Sequence, residues 1–469
     1  MCGIICIFNY KSNNLISTDI QNGLKNLQHR GQDSYGYFLS NIKTSKLIRE
    51  CGLIKFHELT ENYNIAIGHT RYATSYHSKN QNINNFIQPL KGNNSKLGDF
   101  YLVHNGNINN IKLLVNLFEL NDKNLDELND SQILVKIIES YCGSNFNFIL
   151  KKMINSINGI FNLIIYQVKG NNIYILKDKF GNRPLCIGMN NYGYCIASES
   201  VGLGNYEYLR EVNNGELLEL NNNGLKKIYQ KKNYSSICLF EYIYLQNKNS
   251  TVSSKHLQIE YEDNFCSVED IRMKFGEILA KKEINHLNHN LNELIVIGAP
   301  NTGIPIGKSF AKVLSIPYHQ FLIKNKNANR SFILKDDKSR VLEISKKFSV
   351  DLSVNIKDKI IFFVDDSLVR GNTINNIINI LKSYNPKEVH IRIASPEVRF
   401  PCYNGIDIPT KTELIMNHYS TSELSKKLEI NSIIFLSESD MINVLNKKVN
   451  LEEKDICMSC FNGKYLDLF

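Results

Sequence analysis

Residues 359–373, KIIFFVDDSLVRGNT, decide what the second half of this chain must be. Ile360 to Val364 form an unbroken apolar run, the pattern of a strand buried on both faces. The run ends in Asp365 and Asp366, and a short loop holding Gly371 leads through Thr373 into the helical pattern NTINNIINILKSY. At the C-terminal edge of a parallel strand, this order sets two carboxylates above backbone N–H groups and a helix N-terminus. Such N–H groups hold phosphate, and the carboxylates can engage sugar hydroxyls or Mg²⁺. An acidic strand end with an ordinary turn is the plain alternative. The complete order strand, acid pair, loop, Gly, Thr, helix favours the phosphate site.

Working outward, LIVIGAP and EVHIRIASP repeat the same buried-strand signature with helical patterns between them, which implies a parallel sheet covered on both faces. The first half reads differently. CGIICIF, NIAIGHTRYA, DFYLVHNGNI, GIFNLIIYQV, NIYILKD and YGYCIAS are short β-rich runs punctuated by Gly and Asn, interrupted by the helical stretches DIQNGLKNLQHR and DSQILVKIIESY. That predicts an antiparallel-sheet domain with packed helices. The change of style places the boundary near residues 230–240, giving domains 2–235 and 236–469. Two domains also suit 469 residues.

With 43% hydrophobic and 22% charged residues the composition is that of a soluble globular protein, and no run of about 18 apolar residues marks a membrane span. No export signal is legible, so the expected location is cytoplasmic. The net charge of +9 is spread along the chain rather than clustered. A polyanionic small substrate explains it as well as nucleic acid does, and no nucleic-acid or membrane partner is expected. The frequent Asn, Lys and Ile, as in ELNNNGLKK, read as compositional drift. Eleven cysteines, an odd number, argue against a disulfide framework. Cys457 and Cys460 form a C-x-x-C, either two buried thiols or half of a metal site.

The chain starts MCGIICIF. Removal of Met1 would leave the thiol and α-amine of Cys2 on one residue. A terminal amine titrates near 7.7–8.0 and a thiol near 8.5, so the amine can serve as local base for the nucleophile and no histidine is needed. An incidental cysteine is the alternative, and motifs elsewhere decide against it.

The 359–373 segment closely resembles the phosphoribosylpyrophosphate (PRPP) loop of type I phosphoribosyltransferases. The resemblance implies that Asp365 and Asp366 contact ribose hydroxyls and help place Mg²⁺. It implies too that Ser367, Val369, Arg370, Gly371, Asn372 and Thr373 wrap the 5′-phosphate. GAPNTGIPIG looks like the same family's pyrophosphate-side loop, with Thr302 as a hydroxyl for the metal and Asn301 where the family usually has Asp. In the first half, MCGIICIF, LQHRGQDSYG, GHTRYAT, VHNGNI, NDSQ and DKFGNRPL resemble, in order, the class II glutamine amidotransferase domain, an N-terminal-nucleophile hydrolase. Carried over, Arg71 pairs with the α-carboxylate of glutamine, Asp130 holds its α-ammonium, and Asn105 with the Gly106 N–H forms the oxyanion hole for a Cys2 nucleophile. His29, His69 and His104 are expected to be structural.

Together the halves resemble the glutamine PRPP amidotransferase family. The implied fold is an α+β N-terminal-nucleophile (αββα) glutaminase domain followed by an α/β type I phosphoribosyltransferase domain. The implied reaction is 5-phosphoribosylamine synthesis from glutamine and PRPP at the entry to purine synthesis, in a homotetramer. CLFEYIY, KNKNANRSFI, SPEVRFPCYNGID and CMSCFNGKY are further family-like stretches. In one branch four cysteines hold a [4Fe–4S] cluster, mapping onto Cys238, Cys402, Cys457 and Cys460. Residue types alone suit a cluster or zinc. Members of that branch often carry a propeptide, and here methionine removal is expected to suffice. Lys324 and Arg330, in a segment expected to close over PRPP, would face the pyrophosphate.

Two stretches depart from the family, KNANR within 326–330 and LQNKNS after FEYIY. Both fall where the resemblance puts the ammonia passage and the PRPP pocket, so altered coupling of the half-reactions stands beside drift as their reading. Glucosamine-6-phosphate synthase, asparagine synthetase and a non-catalytic PRPP-binding regulator are the competing readings. VDDSLVRGNT argues against the first two and Cys2, Arg71, Asn105 and Asp130 against the third.

Overall fold

Alternation along the Gly3–Asn13 strand explains the first domain. Ile4, Cys6 and Phe8 point into one core and Ile5 and Ile7 into another, as the two-residue side-chain period of a strand requires. The strand is central in a seven-stranded sheet whose spatial order is Glu207–Glu211, Cys186–Asn190, Gly193–Ala197, Gly3–Asn13, Tyr63–Arg71, Ser34–Ser40, Ser45–Cys51. A second sheet runs Gly224–Gln230, Glu216–Asn221, Asn172–Lys177, Gly159–Gln167, Gly98–Ile108, Leu90–Asn94. Ile4, Cys6, Ile65 and Ile67 of the first meet Val103, Ile164 and Ile175 of the second. Ile16, Ile20 and Leu24 of the Ile16–Asn26 helix cover the first sheet's outer face. Ile133, Leu134, Ile149 and Leu150, from helices Asp130–Glu139 and Phe146–Ser156, cover the second. The layers are α, β, β, α.

The computed structural model describes every residue except 14, 42, 73–82, 122–124, 233, 254–264, 285–290, 326–347, 409 and 467–469. Two details differ from the sequence reading. The first helix ends at Asn26, which leaves His29 and Arg30 in a turn rather than on a helix. ELNNNGLKK is the tight connection of a hairpin: Asn221 Oδ1 accepts the Asn223 N–H at 2.9 Å, and Gly224 takes φ +95°. Asn and Gly are what such a turn demands.

The second domain is built on a parallel sheet in the order Tyr318–His319, Leu294–Gly298, Ile360–Asp365, Glu388–Ile393, Ser432–Phe435. Numbered along the chain this is 2-1-3-4-5. Ile360, Phe362 and Val364 pack against helices Val268–Glu283, Gly303–Leu314 and Glu438–Val449. Ile361 and Phe363 pack against Asn372–Lys382 and Thr421–Leu428. An open sheet of this order binds ligand where its direction of growth reverses, between the first and third strands. Those strands end at Gly298 and Asp365. Ile237–Cys238 enters the domain and pairs in parallel with Ile456–Cys457. Among the described residues no helix is long and apolar enough to cross a membrane.

Candidate active site

Cys2 lies where the two sheets of the first domain meet. The Gly3–Asn13 strand that follows it belongs to one sheet, Asn105 to the other, and the Cys2 N–H donates to Asn105 Oδ1 at 3.2 Å. Met1 is attached here, so this nitrogen is an amide standing in for the α-amine that methionine removal would expose. The Cys2 thiol lies 3.8 Å from the Tyr72 carbonyl, and its own carbonyl accepts Arg30 Nε at 3.0 Å. Asn105 Nδ2 is buried with no hydrogen-bond partner among the described residues. A buried amide donor left open beside a nucleophile is unusual, because burial without a partner costs about 1–3 kcal/mol.

Gly106 follows directly. A Cβ there would come within 2.0 Å of the Ile160 carbonyl on the next strand, so only glycine fits. Asp178 fixes that neighbour, its buried carboxylate accepting the N–H groups of Phe161 (3.2 Å), Phe180 (2.8 Å) and Gly181 (2.9 Å). This support role, in DKFGNRPL, was not read from the sequence.

Arg71 ends the Tyr63–Arg71 strand, one residue beyond Thr70, which pairs with Gly3. Its guanidinium lies 5.7 Å from the centre of the Phe86 ring. Asp130 opens the Asp130–Glu139 helix, whose cap is Asn129. One carboxylate oxygen accepts the Ser131 N–H at 2.8 Å, and the other lies 3.9 Å from His104 Nδ1. His104 reaches Ser131 Oγ at 2.9 Å and precedes Asn105, so Arg71 adjoins Cys2 and Asp130 adjoins Asn105. Burial holds His104 below the ordinary imidazole range, with Asp130 opposing, and pulls His69 down to about 3 with help from Arg71 and His104. Both imidazoles are neutral packing groups.

In the second domain, Asp365 and Asp366 stand at the predicted reversal point. Thr302 Oγ1, from the loop after Leu294–Gly298, donates to Asp366 across it. Ser367 Oγ donates to the same carboxylate at 2.6 Å, and the Asp366 N–H to Asp365 Oδ1 at 2.8 Å. Burial and the neighbouring Asp366 push Asp365 well above the usual carboxylate range. Burial raises Asp366 too, opposed by Ser367, Thr302 and Arg272. Two like charges so placed favour a proton or a cation between them. Gly371 caps the Asn372–Lys382 helix at φ +83°, putting exposed Asn372 and Thr373 at its N-terminus. Val369 is anchored by its carbonyl to the Ile415 N–H at 3.0 Å.

Other expected residues fall differently. Arg370 lies against Glu413 (3.1 Å) and Asp407 (3.9 Å). Asp407 also accepts Tyr72 O–H at 3.3 Å, so the loop beside Cys2 and the loop beside the acid pair share one carboxylate. Lys324 is exposed in the strand Leu322–Lys324, opposite Phe348. Asn301 is exposed, and its peptide bond to Pro300 is cis. Arg330 and the KNANR departure lie outside the described residues. The LQNKNS departure packs on the first domain, where the Asn247 N–H reaches Glu199 Oε2 at 2.8 Å.

The four predicted cysteine ligands gather at one end of the second domain as free thiols. Cys238 and Cys457 are cross-strand partners, and Asn404 donates its N–H to Cys402 Sγ (3.3 Å) and its Nδ2 to Cys457 Sγ (3.6 Å). Burial pushes the Cys238, Cys402 and Cys460 thiols up, with the neighbouring Cys457 side chain adding to each rise. Among the described residues no three metal-capable side chains converge as donors to one ion.

A four-layer αββα domain with residue 2 at the sheet junction, followed by a 2-1-3-4-5 parallel sheet with acids at its reversal point, defines a glutamine amidotransferase joined to a phosphoribosyltransferase. The glutamine amidotransferase domain profile matches residues 40–256 and the phosphoribosyl transferase domain profile residues 268–395. Human amidophosphoribosyltransferase is 31% identical over 95% of this chain and 89% of its own length, and that of Methanocaldococcus jannaschii 30% over 99% and 97%. The Bacillus subtilis glutamine PRPP amidotransferase structure, complexed with ADP and GMP, superposes with a TM-score of 0.81 at 29% identity, covering 99% of this chain and 97% of that one. The chain belongs to the amidophosphoribosyltransferase family.

Proposed function

We propose that this chain transfers ammonia from glutamine to C1 of PRPP, giving 5-phosphoribosylamine, glutamate and pyrophosphate, the first step of purine biosynthesis. The Asn105 amide carries the reading: one end holds the nitrogen of residue 2 and the other is an unfilled buried donor. With Met1 removed, the Cys2 amine accepts the thiol proton and the sulfur attacks the glutamine side-chain amide. Asn105 Nδ2 and the Gly106 N–H receive the oxyanion. Collapse releases ammonia and leaves a thioester, which water hydrolyses to glutamate. Arg71 and Asp130 bind the two ends of the amino acid.

In the second domain, Ser367, Val369, Arg370, Gly371, Asn372 and Thr373 would wrap the 5′-phosphate at a helix N-terminus, with Lys324 and Arg330 toward the pyrophosphate. Asp365, Asp366 and Thr302 are hard oxygen donors, and the raised acidic pair fits a divalent cation. Mg²⁺ bound there would neutralise charge on departing pyrophosphate. Ammonia attacks C1 as pyrophosphate departs, and a closed apolar passage between the two sites is required because water would protonate it.

Cys238, Cys402, Cys457 and Cys460 suit a [4Fe–4S] cluster better than zinc. The family resemblance carries that preference, since four thiolates serve either metal centre, and Asn404 supplies N–H···S contacts of the kind that stabilise cluster thiolates. The cluster's role is structural, since the reaction moves no electrons. We further propose a cytoplasmic homotetramer. The test is glutamate release measured with and without PRPP, alongside pyrophosphate formation. Strong stimulation by PRPP with matched products is expected, and PRPP binding without turnover would instead favour a regulatory protein.

A further inference from the structure

An ion-pair cluster that neither half-reaction requires crosses from one domain to the other beneath Cys2. The side chains of Arg30, Glu199 and Glu241 are fully buried. Arg30 Nη1 and Nη2 donate to the two oxygens of Glu241 at 3.1 and 3.0 Å, and Nη1 also pairs with Glu199. That fork leaves Nε on the Cys2 carbonyl at 3.0 Å. Glu241 lies in the turn Glu241–Leu245 just after Ile237–Cys238, and although the first-domain profile runs on past it, its neighbours Leu239, Phe240, Tyr242 and Ile243 are buried in the core of the second domain. Arg272 fixes the turn by donating to the Tyr242 and Gln246 carbonyls, each at 2.9 Å. Arg183 lies 3.5 Å from Glu241, while Glu199 accepts His29 Nε2 (2.8 Å) and Ser250 Oγ (2.6 Å).

A nucleophile at a chain terminus lacks the preceding peptide that holds every other residue. Its orientation must come from side chains on its own nitrogen and carbonyl. Asn105 supplies the first contact and Arg30 the second. A bidentate carboxylate fixes the plane of a guanidinium, and with it the direction of Nε. We infer that Glu241, supplied by the phosphoribosyl-donor domain, is a positioning residue for Cys2. It sets Arg30, which holds the Cys2 carbonyl and so the alignment of amine and thiol. The glutaminase site is therefore incomplete without the second domain. This inference rests on Cys2 being the nucleophile.

The test compares Glu241→Gln, Glu241→Asp and Cys2→Ala in the full chain, each assayed with glutamine and with ammonium chloride as nitrogen source. Glu241→Gln is expected to lower the glutamine-dependent kcat by about 10²-fold, the scale of an ångström-level misplacement. Its glutamine KM should change little, and its ammonia-dependent rate should match wild type. Glu241→Asp, which keeps the charge, should recover part of the loss. A paired replacement, Arg30→Met with Glu241→Leu, covers the case in which Glu241→Gln alone does not fold. Removing one positive and one negative charge together leaves the net charge of the buried cluster unchanged, and the same selective loss is expected. Equal falls with both nitrogen sources, or an unchanged glutamine-dependent rate, would overturn the role of Glu241. Full glutamine-dependent activity in Cys2→Ala would overturn the underlying nucleophile instead.

Discussion

Asn105 meets the nitrogen of Cys2 at 3.2 Å through Oδ1, while its Nδ2 stays buried and unmatched among the described residues. In the proposed mechanism the same amide fixes the base and receives the oxyanion. Asn105→Ala should lower the glutamine-dependent kcat by about 10²–10³-fold, or about 2.7–4 kcal/mol. Ammonia-dependent synthesis in the same preparation is the control, and an unchanged glutaminase rate would refute the assignment.

Removal of Met1 is the chemical event that creates the proposed base. N-terminal sequencing of active enzyme should begin at Cys2. A variant that retains Met1, or Cys2→Ser, should lose glutamine-dependent turnover while keeping synthesis from ammonium salts. Full glutamine-dependent activity in either would remove the basis for an N-terminal nucleophile.

Asp365 and Asp366 are held side by side at a cost to stability. Their folded titration points are raised, so the folded state loses stability as pH climbs above the ordinary carboxylate value of about 3.9. Asp365→Asn retains an oxygen for the Asp366 N–H. It should raise neutral-pH stability by ~1 kcal/mol, a gain that fades in acid, while PRPP turnover collapses. Denaturant titrations at two pH values, with an activity assay, decide it.

Gly371 combines φ +83° with a Cβ path that would meet Ile415 Cδ1 at 2.3 Å. Gly371→Ala should cost about 1–2 kcal/mol in local strain and raise the PRPP KM. Direct binding of the free enzyme to glutamine should be unaffected. Calorimetric titration with each substrate separates the two.

His69 is fully buried and titrates at about 3 when folded, against 6.5 in the ordinary range. Between those values the unfolded chain binds a proton that the folded chain does not. Stability should therefore rise with pH across that window, by up to about 1.4 kcal/mol per pH unit from this group. Melting curves of His69→Asn should show a shallower dependence there. An identical slope would count against the assignment.

Both domains were legible because their signals are local. The buried run Ile360–Val364 and the acids after it reveal a parallel strand and its ligand edge, and Asn105-Gly106 sits within one quoted fragment. What the sequence hid is contact at a distance. Arg30, Glu241, Tyr72 and Asp407 all lie in quoted motifs, yet no role could be assigned to them. Arg30 meets Glu241 across 211 positions, and Tyr72 meets Asp407 across 335. Spacing rules do not reach that far. ELNNNGLKK is the local counterpart: its Asn and Gly, common across the chain, also suit the hairpin turn they form.

The ladder between Ile237–Cys238 and Ile456–Cys457 has a consequence for biogenesis. The strand that leads into the second domain finds its neighbour only in a segment far down the chain, beyond every strand of the parallel sheet. The first domain can fold on the ribosome ahead of the rest, but this seam must stay open until Ile456 and Cys457 have emerged.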